Sequence, residues 1–351
     1  MAETDARLAL IHEWLSRTLH RTVLRLEPAS SDASFRRYFR VFCEDASYVV
    51  MDAPPGKEDV RPYLKVSTML ESLGAHVPHV HACDTAHGLL LLEDLGRTLY
   101  LERLDSGDDP ERLYADALDA LATIQLRGRA HMDELAPYGR SELAREMALM
   151  PEWFLARHLS LVLSEAERGL LAQAFELLIA EALVQPQVFV HRDYHARNLM
   201  VVPTRNPGII DFQDALAGPV GYDLVSLLKD CYIDWPRTRV EQWVARYRAS
   251  LRNSPSLAGS GEREFLRWFD MIGVQRHIKV LGIFARLWYR DGKNGYIGDL
   301  PRTLDYVRDT AARYTELRPF GEWIERRVVP GFAQANARAL ASSRMTQTVS
   351  P

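Results

Sequence analysis

Three oxygen-bearing side chains stand at spacings that could manage a hydroxyl group and a hard cation. Asp193 and Asn198 lie in "HRDYHARN", and Asp211 follows thirteen residues later in "IIDFQ". The stretch "FVHRDYHARNLMV" (189–201) breaks an apolar, strand-like run with a cluster of polar residues before turning apolar again. Its order, His-Arg-Asp-x-x-x-x-Asn, is that of a phosphoryl-transfer catalytic loop, in which Asp takes the proton of the acceptor hydroxyl and Asn holds magnesium. Asp211, on an apolar strand, stands where such enzymes keep the carboxylate that bridges magnesium to nucleotide phosphates. The residue types follow from the chemistry: the hydroxyl must be oriented and relieved of its proton, and phosphoryl charge needs a cation with oxygen ligands. Turn and cap roles explain any one of these residues alone, but not the spaced set between strands.

The elements that must hold these residues are of two kinds. Near the start, Leu8, Ile11, Leu15 and Leu19 recur at helical intervals, so an amphipathic helix is expected. "TVLRLEP", "SFRRYFRVF" and "SYVVMDAP" are rich in β-branched and aromatic residues and separated by turn-like "ASSDA" and "CEDA", which predicts a small antiparallel meander. A helix ending at Gly74 and a strand in "LLLLEDLG" complete this part near residue 96. Helical periods then dominate, over 110–127, 141–160, 164–184, 223–233, 238–251, 262–290 and 301–315. They are interrupted by the polar stretch and by "PGIIDFQDALAGPVGYD", whose flanks resemble a short hairpin. The expected fold class is α+β and bilobal, with a β-rich lobe over 1–96, a mostly helical lobe over 97–330, and a flexible tail over 331–351 that is poor in branched and aromatic residues.

Bulk properties narrow the partners. Forty-three basic against 47 acidic residues leave a formal charge of −4, which gives no reason to expect nucleic acid or an anionic membrane. No run is long and apolar enough for a bilayer. The acidic, helical beginning "MAETDARLALIHEWL" is unlike a signal peptide. Cys43, Cys83 and Cys231 lack metal-type spacing and read as buried small hydrophobes in a reducing, cytoplasmic setting. His191 and His195 are four apart, but on a loop with no third ligand in view, so zinc is not expected. "HVPHVH" (76–81) reads as a loop entering a strand.

"HRDYHARNLMV" together with "IIDFQDALAGPVGYDL" resembles the aminoglycoside phosphotransferase and choline kinase branch of the protein-kinase-like fold, over roughly residues 20–300. The resemblance implies an ATP- and Mg²⁺-dependent kinase with Asp193 as base and Asn198 and Asp211 on the metal. His195, where Ser/Thr protein kinases carry Lys, and the lack of an A-P-E sequence point to a small acceptor. The likeness also implies supporting roles for His191, bonding backbone near the magnesium carboxylate, and for Asp223, capping the helix it begins. Adenine would lie against the backbone of Glu93 and Leu95, with Met200 beneath the ring. "PASSDASFRR" occupies the place of the phosphate-covering loop without a glycine, so Ser30, Ser31 and Ser34 would supply hydroxyls and amides. The phosphate-binding Lys expected on the third strand is replaced in "YVVMDAP" by Met51 and Asp52, and Arg36 or Arg40, on one face of the neighbouring strand, could provide the charge.

The acceptor is suggested by a stripe of Arg276, Lys279, Arg286 and Arg290 on the helix over 262–290, either a solvated face or a pocket for a carboxylate-bearing acceptor. "SDASFRRYFRV", "MDAPPGKED", "MPEWFL" and "IFARLWYRDGKNGYIGDLP" resemble bacterial kinases that phosphorylate N-acetylmuramate and N-acetylglucosamine at the anomeric hydroxyl during cell-wall recycling. That resemblance implies an amino-sugar substrate, whose lactyl carboxylate an Arg could hold. Another small hydroxyl acceptor (an aminoglycoside, choline or an amino acid) and a nucleotide-binding scaffold without activity are the alternatives.

Overall fold

The computed structural model describes residues 2–31, 35–254, 257 and 259–347. The chain divides into two compact units, Met1–Gly128 with Arg197–Ala215, and Arg129–Ala196 with Leu216–Pro351. The described strands are β1 (Arg25–Ser31), β2 (Arg37–Phe42), β3 (Ser47–Asp52), β4 (Val80–Asp84), β5 (Leu89–Glu93), β6 (Gln187–Val190), β7 (Leu199–Met200), β8 (Gly208–Ile209) and β9 (Leu216–Pro219).

In the first unit β1 to β5 form one antiparallel sheet in the order β1-β2-β3-β5-β4, so the expected meander is present and is extended by the β5–β4 pair. The helix Ala2–Thr18 covers one face of this sheet because its apolar residues recur every turn. Ile11, Trp14 and Leu15 from the helix, with Leu19 just beyond it, are buried with Phe39, Val41, Val50, Leu89 and Leu91, and Leu8 packs at the margin. Each such aliphatic side chain contributes about 1.5–3 kcal/mol through loss of water contact. Arg7 of the same helix bonds Asp52 through Nε at 3.0 Å, and Arg37, which faces Asp52 across β2–β3, bonds it through Nε at 2.9 Å. The helix Arg61–Leu73 ends, as expected, at Gly74, whose φ of 85° suits a residue without Cβ.

In the second unit β6 and β9 pair antiparallel, while β7 and β8 form a separate small ribbon in the first. The single hairpin expected around "PGIIDFQDALAGPVGYD" is thus two ribbons. The second unit is otherwise helical and is organised around the helix Glu262–Tyr289, which is buried from Phe265 to Ala285 except at a few positions. A Cβ at Gly282 would lie 2.4 Å from the backbone of Leu149, so glycine permits this helix to touch the chain entering the next turn. That neighbouring segment, expected to be one helix over 141–160, is a helix Arg140–Met147 followed by a π-helical stretch Met150–His158 containing Pro151, which lacks an amide donor. The helix expected over 223–233 is Gly221–Leu228 and ends earlier. Residues Val329–Gln347 are helical, with Ala335 and Ala339 buried, where composition suggested a flexible tail.

Cys43 and Cys231 are buried, but Cys83 is exposed on β4, whose outward-facing positions alternate with inward ones. Among the described residues no helix is long and apolar enough to cross a membrane.

Candidate active site

In the first unit, β7 and β8 bring the two residues expected on the metal together. Asn198 precedes β7 and Asp211 follows β8; the ribbon pairs Leu199 with Ile209, and the amide of Ile210 donates to the Asn198 carbonyl at 3.0 Å. Asn198 Nδ2 then lies 3.3 Å from Asp211 Oδ2, Gln213 Nε2 donates to Oδ1 at 2.8 Å, and Arg36 Nη2 stands 3.4 Å from the same oxygen. Asp211 has φ of 65°, a left-handed conformation that costs a non-glycine residue about 1 kcal/mol. Its side chain is 34% exposed, and the ring of the next residue, Phe212, packs 4.7 Å from Tyr63. A carboxylate beside a side-chain amide offers hard oxygen donors, which fits Mg²⁺. Among the described residues no three His, Cys, Asp or Glu side chains group as a metal cage, and magnesium takes much of its shell from water and phosphate instead.

The two candidate arginines part company here. Arg40 is 7% exposed, and its Nε donates to Asp94 at 2.8 Å while Nη2 bonds the Gly96 carbonyl, so it ties down the connector after β5. Arg36 is the one beside Asp211. Met51 is in the core and Asp52 is buried between two guanidinium groups, so neither stands in for a phosphate-binding Lys.

The expected adenine contacts converge in part. A Cβ at Gly208 would come 2.8 Å from Leu95 Cδ1 and 3.3 Å from Met200 Cβ, so Leu95, Met200 and Gly208 are in close contact. The Glu93 amide donates to the His79 carbonyl at 2.8 Å and is spent in the sheet. Ser30 and Ser31 are in β1, paired with Tyr38 and Arg37, rather than in a loop. Ser34 lies outside the described residues.

The second unit holds Asp193 on a segment clamped by two carboxylates. Asp223 accepts the amides of His191 at 2.6 Å and Arg192 at 2.9 Å, while Asp230 accepts those of Ala196 at 3.0 Å and Tyr232 at 3.0 Å. Asp223 was expected to cap its own helix; it lies inside Gly221–Leu228 and reaches across to the loop instead. Burial pushes Asp223 up to about 7, the two amides pull it down, and the nearby charge of Asp193 raises it. His191 Nδ1 accepts the Asp193 amide at 3.3 Å, and the His195 amide donates to the Asp193 carbonyl at 3.1 Å. Both histidines therefore shape the backbone at Asp193. Arg192 has φ of 80°, so a strained residue adjoins the proposed base.

Around Asp193 the charges are buried and matched. Arg276 and Lys279 are 4% and 7% exposed, which corrects the picture of a solvated stripe. Lys279 Nζ bonds the Tyr222 hydroxyl at 2.9 Å and Glu146 Oε1 at 3.1 Å; Arg192 Nη2 reaches the same Glu146 oxygen at 2.6 Å, and the Tyr138 hydroxyl donates to its Oε2. Arg276 donates to Ser226 Oγ at 2.8 Å and lies 3.8 Å from Cys231 Sγ. Burial alone would raise the Asp193 carboxyl, but Lys279, His195, Arg276 and Arg192 together hold it below its ordinary value. Glu146 is held down in the same way against its burial, by Lys279 and Arg192. Arg286 stands apart, only partly buried, with Arg290, Asp291 and Glu152 as its charged neighbours. Glu146 was not singled out from the sequence. The available signal was a carboxylate three residues after buried Leu143, on the same helix face.

The chain is similar to known proteins over most of its length. The chain is 43% identical over 351 residues to an N-acetylmuramate/N-acetylglucosamine kinase of Pseudomonas putida, covering 97% of this chain and all of that one. It is 47% identical over 330 residues to a protein of the same name from Pseudomonas aeruginosa, covering 91% and 96%. The fold is shared with an ADP-bound aminoglycoside phosphotransferase, TM-score 0.57 at 15% identity, over 86% of this chain and 98% of that one. With the family model of the phosphotransferase enzyme family matching residues 25–269, across the loop of Asp193 and the ribbon of Asn198 and Asp211, the chain belongs to that family of kinase-like enzymes.

Proposed function

We propose that the protein is an ATP- and Mg²⁺-dependent kinase that phosphorylates the anomeric hydroxyl of N-acetylmuramate and N-acetylglucosamine, in the cytoplasm, as a step of peptidoglycan recycling. The observation that carries this reading is the end-to-end similarity to two kinases named for those sugars, in a chain that keeps Asp193, Asn198 and Asp211 in ordered positions. In this reading residues 1–96 cover the nucleotide, and 97–330 carry the loop, the metal ligands and the acceptor site.

Asp193 is the base. Its neighbours favour the ionised form, which is the form that can take a proton, and a hemiacetal hydroxyl needs only modest help. Asn198 and Asp211 hold the cation, which when bound with ATP neutralises phosphoryl charge. Arg36, already beside Asp211, supplies the charge that Lys would provide on β3. Leu95, Met200 and the backbone of Glu93 receive adenine. Asp223, His191 and His195 hold the loop in shape. For the acceptor, Lys279 is neutralised by Glu146, whereas the bonds of Arg276 run to a hydroxyl and a thiol. Arg276 is therefore the better partner for the lactyl carboxylate of muramate, with Arg286 further along the same helix.

Incubating the purified protein with ATP, Mg²⁺ and each sugar, and following phosphorus NMR, should show a sugar 1-phosphate. Turnover of kanamycin or choline with neither sugar consumed would overturn the acceptor.

A further inference from the structure

Three aromatic rings form a row that begins at the loop of Asp193. The His195 ring meets the Tyr232 ring edge to face at 5.5 Å; Tyr232 leans on Phe284 at 6.3 Å, and Phe284 on Tyr296 at 5.2 Å, both pairs tilted by 36°. Phe284 is 5% exposed, while Tyr232 and Tyr296 on either side of it remain partly open. The row is fixed to the loop. One carboxylate, Asp230, accepts both the Tyr232 amide and the Ala196 amide. On the helix Glu262–Tyr289, Arg276, Val280 and Phe284 follow at intervals of four and share a stripe. The Arg276 end of that stripe feels the charge of Asp193, and the Phe284 end carries the rings.

We propose that Tyr232 and Tyr296, backed by Phe284, form the platform on which the pyranose ring of the acceptor lies, so that its reacting hydroxyl falls at Asp193. This rests on the sugar-kinase reading above and names the residues that set its substrate class. The negative face of an aromatic ring attracts the weakly positive C–H groups on one face of a pyranose. Packing against it excludes water and fixes which hydroxyl projects from the edge. The N-acetyl methyl adds apolar area to the same contact.

Steady-state kinetics with N-acetylglucosamine test the idea. Tyr232→Ala and Tyr296→Ala should each raise the sugar KM about tenfold, with the ATP KM unchanged, whereas Tyr232→Phe and Tyr296→Phe, which keep the ring, should stay near the parent. Both alanine variants with parental sugar KM would overturn the platform. Should either alanine variant fail to fold, saturation-transfer NMR on the parent protein decides: irradiating the aromatic protons should reach one face of the sugar selectively, and uniform transfer would sink the proposal. An active parent with unaffected variants removes the platform alone; a parent that phosphorylates neither sugar removes the sugar reading as well.

Discussion

Arg36 ends 3.4 Å from Oδ1 of Asp211, although the two residues are 175 positions apart in the chain. Arg40, four residues further on within β2, is instead consumed by Asp94 and the Gly96 carbonyl. Two arginines that look equivalent in sequence therefore carry different consequences.

Arg36→Ala should raise the ATP KM by about 10- to 100-fold, the cost of one charge-assisted contact, with little change in melting temperature. Arg40→Ala should do the reverse: leaving Asp94 buried and unpaired destabilises by about 3 kcal/mol, read as a lower denaturation midpoint. Equal ATP KM values for parent and Arg36→Ala would exclude Arg36 as the phosphate anchor.

Asp193→Asn should lower kcat by at least about 1,000-fold while nucleotide affinity, measured by calorimetry, stays within about threefold. An asparagine keeps the shape but cannot take the proton.

The pH profile should follow the surroundings of Asp193. Because burial is outweighed by Lys279, His195, Arg276 and Arg192, the carboxyl titrates below its usual range. It is deprotonated above that pKa, so kcat/KM should stay level as pH falls from neutrality through the ordinary carboxylate region and drop only below it. Removing one of those charges with Lys279→Met raises the pKa and should move the acid limb toward neutral pH. A limb at the same pH in both proteins would show that another group controls it.

Asn198→Ala should increase the Mg²⁺ concentration needed for half-maximal rate by about tenfold, and EDTA should abolish turnover reversibly. Activity that survives chelation would contradict the role given to Asn198 and Asp211.

Asp223→Ala leaves the amides of His191 and Arg192 without their acceptor. The expected loss is about 2–4 kcal/mol in urea denaturation, because two buried donors go unsatisfied. A drop in kcat should accompany it, since Arg192 would no longer be held at φ of 80°.

The reaction class and much of the local structure were legible in the chain alone. The spacing of Asp193, Asn198 and Asp211 named the reaction, period-two and period-3.6 patterns located most strands and helices, and the helical repeat of Ile11, Leu15 and Leu19 predicted the buried face that the structure shows. These features are set by neighbours a few residues away, and backbone geometry imposes them wherever they occur. What tertiary structure alone decided was the fate of each charge. Arg276 and Lys279 read equally as a solvated face or an acceptor pocket until Tyr222, Ser226 and Glu146 closed around them. Asp223 read as a cap until it met the amides of His191 and Arg192. A buried charge must find its partner among groups brought in from distant parts of the chain, and periodicity carries no record of which ones arrive.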